Sequence, residues 1–249
     1  MNIRLIMPFI FFIAMIVACK KDEFARTVDE IKALDTTSLI KVYNATVSSP
    51  LTLVYINDKK ISGTAFGYGG LFPATTTYAA ITPGNVNIKI KDTNTVSPKV
   101  ILSINTTLDK AKYYSVLLFD TANKSKFMLV EDDIHRPADS SARIRFANLV
   151  FSSVPVTNVD IYSQNLKKNV FTNIPREYIT PFIDHPSKKT DTFYVRATGT
   201  TTNLVTNNTT NATIFTPGVH RHYTIIFRGR YQTTGTGTTA RGLTFMTNF

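Results

Sequence analysis

Ser38-Leu39-Ile40-Lys41-Val42-Tyr43-Asn44-Ala45 is echoed by Ala142-Arg143-Ile144-Arg145-Phe146-Ala147-Asn148-Leu149, with an offset of 104 between Asn44 and Asn148. Each stretch alternates apolar and other residues, several of them basic, and then reaches an asparagine. Side chains on a strand point to opposite faces in turn, so this period of two predicts a half-buried strand. A polar turn follows in both places, Ser48-Ser49-Pro50 and Ser152-Ser153-Val154-Pro155.

The echo continues outward. Leu53–Asp58 and Val159–Asn165 each read as a strand ending in a turn. Tyr113–Phe119 parallels His222–Phe227. The offset grows to 107 at Tyr55/Tyr162 and 109 at Tyr114/Tyr223, the drift expected from small loop insertions. A repeat of this size is a whole domain rather than a solenoid unit. Val86–Lys91 follows the turn pair Pro83-Gly84, and Phe193–Ala197 is its counterpart. Phe127–Val130 closes the first copy and Gly242–Met246 the second. No helix signal of domain-building length follows the N-terminal region. The chain therefore reads as all-β, with two tandem immunoglobulin-like antiparallel β-sandwich domains. The expected boundaries are 38–133, a polar linker 134–141 containing Pro137, and 142–249.

The N-terminus carries a different signal. Asn2 and Arg4 precede an uncharged run from Leu5 to Ala18, and the chain's single cysteine, Cys19, comes next. About 14 apolar residues interrupted by Pro8 fall short of the roughly 20 needed to cross a bilayer. Small residues before a cut, after a short basic start, mark a secretory signal peptide over 1–18. A cysteine just after the cut resembles the lipobox of bacterial lipoproteins, which implies lipid attachment at Cys19 and a tether over 19–37. Phe24, Val28, Ile31 and Leu34 in that tether have the spacing of a short amphipathic helix, though so few turns are marginal alone in water. Lys21, Asp22 and Glu23 resemble the surface-export signal of Bacteroidota lipoproteins. The resemblance implies an outer-membrane protein facing the cell exterior. An acylated lone cysteine leaves no thiol for a disulfide or a zinc site, so the fold must rest on its core.

Formal net charge is +11, or +10 once Arg4 is removed. The excess is uneven. Residues 38–133 hold ten Lys/Arg against seven Asp/Glu, a net of +3, and residues 142–249 hold twelve against four, a net of +8. Such a bias suits acidic partners such as anionic glycans or lipid headgroups, or serves solubility alone. Nucleic acid is not an expected partner, because no DNA- or RNA-binding signature is present.

Catalytic patterns are lacking: there is no G-x-S-x-G elbow, no HExxH and no P-loop. No catalytic residue, cofactor or metal is assigned. His220 and His222, two apart beside a strand, could share a face, but no carboxylate or cysteine joins them as a ligand set. Asp160 lies on a repeat strand whose counterpart in the first copy is apolar, which argues against a shared reaction. The glycine-rich Gly67-Tyr68-Gly69-Gly70 brings Phe66, Tyr68 and Phe72 close together. These aromatics are the candidate ligand-binding residues, although aromatics so placed more often cap a sandwich core. Thr233–Thr239 reads as a hairpin tip, and Asn203–Thr213 as a polar loop.

The order A-[RK]-[IV]-R-[FV]-x-N, then V-D-[IV]-Y, then x-P-G-x-x-Y-T resembles the bacterial domain family DUF4397. Ala142–Asn148, Val159–Tyr162 and Pro217–Thr224 carry it. The first copy matches more loosely, since Val54-Tyr55 lacks the aspartate and Leu108-Asp109-Lys110 replaces the Pro-Gly turn. The resemblance implies the sandwich fold in two copies and says nothing of activity, the family being one of unknown function. The expectation for function is a surface-exposed, non-enzymatic lipoprotein acting as a binding or structural module for an extracellular glycan or protein ligand. The alternatives are an accessory glycan-binding lipoprotein of a nutrient-uptake system and a periplasm-facing envelope scaffold component.

Overall fold

The computed structural model describes residues 35–74, 77–205, 214–234 and 237–249. The signal peptide, Cys19, Lys21, Asp22, Glu23 and the tether through residue 34 lie outside the described residues, as do 206–213 and 235–236 of the two Thr-rich loops. Among the described residues there are eighteen strands and no helix.

The first nine strands are β1 (Ser38–Asn44), β2 (Thr52–Ile56), β3 (Lys59–Lys60), β4 (Leu71–Phe72), β5 (Ala79–Ile81), β6 (Gly84–Asp92), β7 (Val100–Leu108), β8 (Tyr113–Phe119) and β9 (Lys126–Glu131). The next nine are β10 (Ala142–Asn148), β11 (Val159–Ser163), β12 (Lys168–Ile174), β13 (Tyr178–Ile179), β14 (Ile183–His185), β15 (Asp191–Ala197), β16 (Ile214–Phe215), β17 (His222–Arg228) and β18 (Gly242–Thr247). They form four sheets. One has the order β4-β1-β8-β9 with β5 also on β1, and another the order β3-β2-β6-β7. The same pair of orders recurs as β13-β10-β17-β18 with β14 on β10, and as β12-β11-β15-β16.

The ladders are antiparallel except at the two central pairs. β1 runs parallel to β8, and β10 parallel to β17. A parallel pair needs a long crossover, and the strands of the neighbouring sheet supply it. Asn57 and Asp58, both at positive φ, make the two-residue turn between β2 and β3. This conformation matches the right-handed twist of paired strands.

Each central strand divides its side chains between two cores. Ile40 and Val42 point with Val116 and Leu118 into a cluster completed by Val54, Ile88 and Ile90 of the facing sheet. Ile144, Phe146, Ile225 and Phe227 do the same against Val159, Ile161, Phe193 and Val195. These are two face-to-face sandwiches. The alternate residues of the central strands meet one another. Tyr43, Ala45, Leu117 and Phe119 pack on Ala147, Leu149, Ile226 and Met246. The order of layers is therefore β3-β2-β6-β7, β4-β1-β8-β9, β13-β10-β17-β18, β12-β11-β15-β16.

This stacking corrects the expectation of half-buried strands. Every residue of β1 and of β10 is buried. The second face is covered by another sheet instead of water, and it takes Lys41, Arg143 and Arg145 inside with it. Part of the basic excess is thus interior and contributes nothing to surface charge.

Leu117 is fully buried in the cluster between the middle sheets. Leu117→Ala should lower unfolding free energy by about 2–5 kcal/mol, because the rigid sheets on both sides cannot collapse into the cavity. Val96→Ala, at a residue 92% exposed, should change it by no more than about 0.5 kcal/mol. Denaturant unfolding of both variants checks this.

Candidate functional site

Three groups of residues carry chemistry. The first is a polar network between the two middle sheets, beside the apolar cluster. Asp132, just past β9, receives Arg145 Nη2 on Oδ1 at 2.5 Å. Tyr78 Oη donates to its Oδ2 at 2.5 Å and Ser115 Oγ at 2.6 Å. Asn248 Nδ2 reaches the same oxygen at 3.3 Å. Arg145 Nε donates to Thr224 Oγ1 at 2.8 Å, and Thr224 Oγ1 donates to Asn248 Oδ1 at 2.7 Å. The ion-paired side chains are 2% and 0% exposed.

Lys41 enters the same space. Its Nζ donates to the Thr247 carbonyl at 2.7 Å and sits 4.5 Å from the Tyr78 ring centroid. Burial lowers its pKa to about 8, against the pull of Asp132. Burial and the Asp132 charge push the Tyr78 phenol up. A carboxylate with four donors on two oxygens has its acceptor capacity filled, which suits a structural role.

The second group is the histidines. His220, at positive φ in the turn before β17, accepts from Arg136 Nε on Nδ1 at 3.0 Å. Its Nε2 lies 2.6 Å from the Asp139 carbonyl, which fixes the tautomer with the proton on Nε2. His222 is fully buried, its ring 5.4 Å from Phe182, 6.2 Å from Phe249 and 6.4 Å from His135. The two rings therefore occupy different environments. Among the described residues no three His, Cys, Asp or Glu groups are placed to hold a metal ion. Burial, the Arg143 charge and His135 lower the His222 pKa to about 4. His185 is lowered by burial too, against Asp191, whose Oδ2 is 3.1 Å from Nε2.

The third group is aromatic. Phe66 is 8% exposed and belongs to the first sandwich core. Phe72 lies stacked beside it with centroids 6.5 Å apart. Tyr68 is held under the Arg228 guanidinium, 4.5 Å from its centroid, and burial raises its pKa. Gly69, at φ +79°, lets the loop pass Arg228, which a Cβ would meet at 3.4 Å. The three rings predicted from sequence are thus close together, but Phe66 offers no exposed face, and Tyr68 turns toward the second sandwich.

Sequence reasoning missed a tyrosine–cation pair on the outward face of each outer sheet. Lys91 lies 4.5 Å from the Tyr55 centroid, and Arg196 3.8 Å from that of Tyr162. Both pairs occupy matching positions: β2 pairs with β6 as β11 pairs with β15, and Tyr55 opposes Lys89 where Tyr162 opposes Tyr194. The alternation in Phe193-Tyr194-Val195-Arg196 was the available signal. Two shallow recesses adjoin the first outer sheet. One of 560 Å³ is lined by Thr37, Ile56, Asn57 and Ile81. The other, of 480 Å³, is lined by Asn85, Asn87, Asn105 and Thr107.

Arg145→Met should cost about 3–5 kcal/mol of stability, because it strands the Asp132 charge in a dry interface. Asp132→Leu combined with Arg145→Met should recover most of that loss, as read by denaturant unfolding. His222 has a folded pKa below its unfolded value of 6.5, so its contribution is present above that value and is lost as pH falls toward about 4. Arg143, His135 and Asp133 are the charged groups facing it. His222→Phe should therefore shrink the fall in melting temperature between about pH 7.5 and about pH 4.5.

A family profile described as Domain of unknown function (DUF4397) matches residues 38–156. No curated protein matches the chain. The matched stretch runs from β1 through β10 and stops before β11. It therefore takes in Ala142–Asn148 of the motif and leaves out Val159–Tyr162 and Pro217–Thr224. Over 38–156 the chain is similar to DUF4397.

Proposed function

We propose that this protein is a non-catalytic binding or structural module, lipidated at Cys19 and held at the outer membrane with its sandwiches facing outward. The observation that carries this reading is the use of the buried ionisable groups. Asp132, Arg145, Lys41 and Tyr78 are bound to one another or to backbone between the sheets. The accessible features are sheet faces bearing tyrosine, lysine, arginine and asparagine. In this reading residues 142–249 are a second copy of the DUF4397-like domain, supported by the recurrence of one strand order. The immunoglobulin-like description and the Bacteroidota-type anchor belong to the same proposal. They rest on the paired sandwiches and on the run from Leu5 to Glu23.

A glycan-binding accessory role is the favoured form of the second reading. The outward tyrosine–cation pairs support it, because a tyrosine offers both an apolar face and a hydroxyl.

Cys19→Ser should move the protein from the membrane fraction to the soluble fraction. Alanine at Lys21, Asp22 and Glu23 together should leave it membrane-bound but remove its labelling by an impermeant reagent on intact cells. Unchanged labelling overturns the outward placement. Turnover of a defined substrate by the purified mature protein, abolished by one substitution, overturns the non-catalytic reading.

A further inference from the structure

We propose that the outward face of the β12-β11-β15-β16 sheet binds an acidic saccharide, with the carboxylate on Arg196 and the sugar ring against Tyr194. The inference rests on the binding-module reading and names its ligand class.

Arg196 is preorganised and underused. Its guanidinium carbon lies 3.8 Å from the Tyr162 centroid and 5.8 Å from that of Tyr194. Its Nε donates to Asn203 Oδ1 at 3.0 Å. Stacking and this hydrogen bond fix the plane of the fork, so little rotamer freedom remains to be lost on binding. The terminal nitrogens have no partner among the described residues. Asp160 is opposite Arg196 in register but is occupied elsewhere. It accepts from Asn169 Nδ2, Asn173 N, Thr198 Oγ1 and Gly199 N at 2.8–3.3 Å. A planar fork with two free ends matches a carboxylate bidentately.

The first sandwich provides an internal comparison. Lys91 stacks on Tyr55 at the matching position, but Asp58 lies 3.8 Å from its Nζ and 2.7 Å from Lys89 Nζ. The cation there already shares a carboxylate with Lys89, and lysine lacks the fork. Among the described residues, only the second sandwich presents a planar cation on its outer sheet whose terminal nitrogens are left without a carboxylate.

The surroundings favour a saccharide over a bare anion. The rings of Tyr162 and Tyr194 are 6.3 Å apart and tilted by 44°, both half-buried. Tyr162 is covered by the guanidinium, which leaves Tyr194 beside it to take the C–H face of a pyranose. Asn203 adds an amide at the edge. An apolar wall with a few fixed polar groups is the usual make-up of a small-ligand site.

The test uses the mature protein, with an oligogalacturonate and its fully methyl-esterified form as probes, by calorimetry. Wild type should bind the acid and not the ester. Arg196→Gln should weaken binding by about 10- to 100-fold, the range for losing charge-assisted hydrogen bonds. Tyr194→Ala should weaken it as well, Arg196→Lys should restore only part, and Lys91→Gln should have no effect. Unchanged melting temperatures certify that the half-exposed variants fold. The proposal is overturned if wild type binds neither probe, or binds both equally. It is also overturned if Lys91→Gln costs as much as Arg196→Gln, or if only vesicles of anionic lipid are bound. None of these results touches the non-catalytic reading, which falls only to turnover.

Discussion

The buried pair between Asp132 and Arg145 sets the constraint on which the stacking of the sheets depends. Apolar contacts such as Leu117 on Ile226 favour burial but have no preferred direction. A dry ion pair has one. Removing two charges from water costs several kcal/mol each, and the attraction between them offsets this only in good geometry with the remaining valences filled. Tyr78, Ser115, Asn248 and Thr224 fill them from both middle sheets. Sliding one sandwich over the other would break several of these bonds at once.

The pair also lies where one sandwich hands the chain to the other. Asp132 follows β9 and Arg145 belongs to β10, so the connector between them is held at both ends. Arg143 reinforces it by donating to the Asp133 carbonyl and to Asp133 Oδ2 at about 3 Å. With the middle sheets committed to each other, the outer sheets are left to meet solvent. A function by contact would then fall to their outward faces, and there the two copies have diverged. Asp58 lies beside the cation of the first and shares it with Lys89, whereas the carboxylate of Asp160 is taken up by neighbouring donors in the second.

Local patterning made much of the fold legible. Alternation in Val86–Lys91 and Phe193–Ala197 marked β6 and β15, and the echo of Tyr114 at Tyr223 marked the equivalence of β8 and β17. The short strands β4, β5, β13 and β14 left no comparable trace. Their two or three residues are fixed by pairing with β1 and β10, which composition does not encode. Parallel pairing of β1 with β8 is likewise a long-range fact. The site was less legible still. Lys41 and Arg145 read as the wet side of a strand because a period of two says that faces differ, not that either is solvated. For Phe66 the sequence left ligand binding and core capping both open, because proximity to glycines says nothing about which way a ring turns, and the ring lies in the first core.

The same misreading explains what the basic alternation is for. Lys41 and Arg145 bring two cations into one interface, and the charge of Asp132 acts on both. Burial acts against the Lys41 charge, and its depressed pKa of about 8 records that cost. The cost is limited because the long stem lets Nζ reach the Thr247 carbonyl and the Tyr78 ring at the end of a strand. Arg145 has no such need, since its fork is met by Asp132 and Thr224 together. The two copies thus place unlike cations on facing strands, Arg145 on Asp132 and Lys41 reaching the Thr247 carbonyl and the Tyr78 ring. A lysine in place of Arg145 could not serve Asp132 and Thr224 in the same way, because one ammonium lacks the planar fork that spans both. The divergence between Lys41 and Arg145 therefore lets two similar strands meet different partners across one interface.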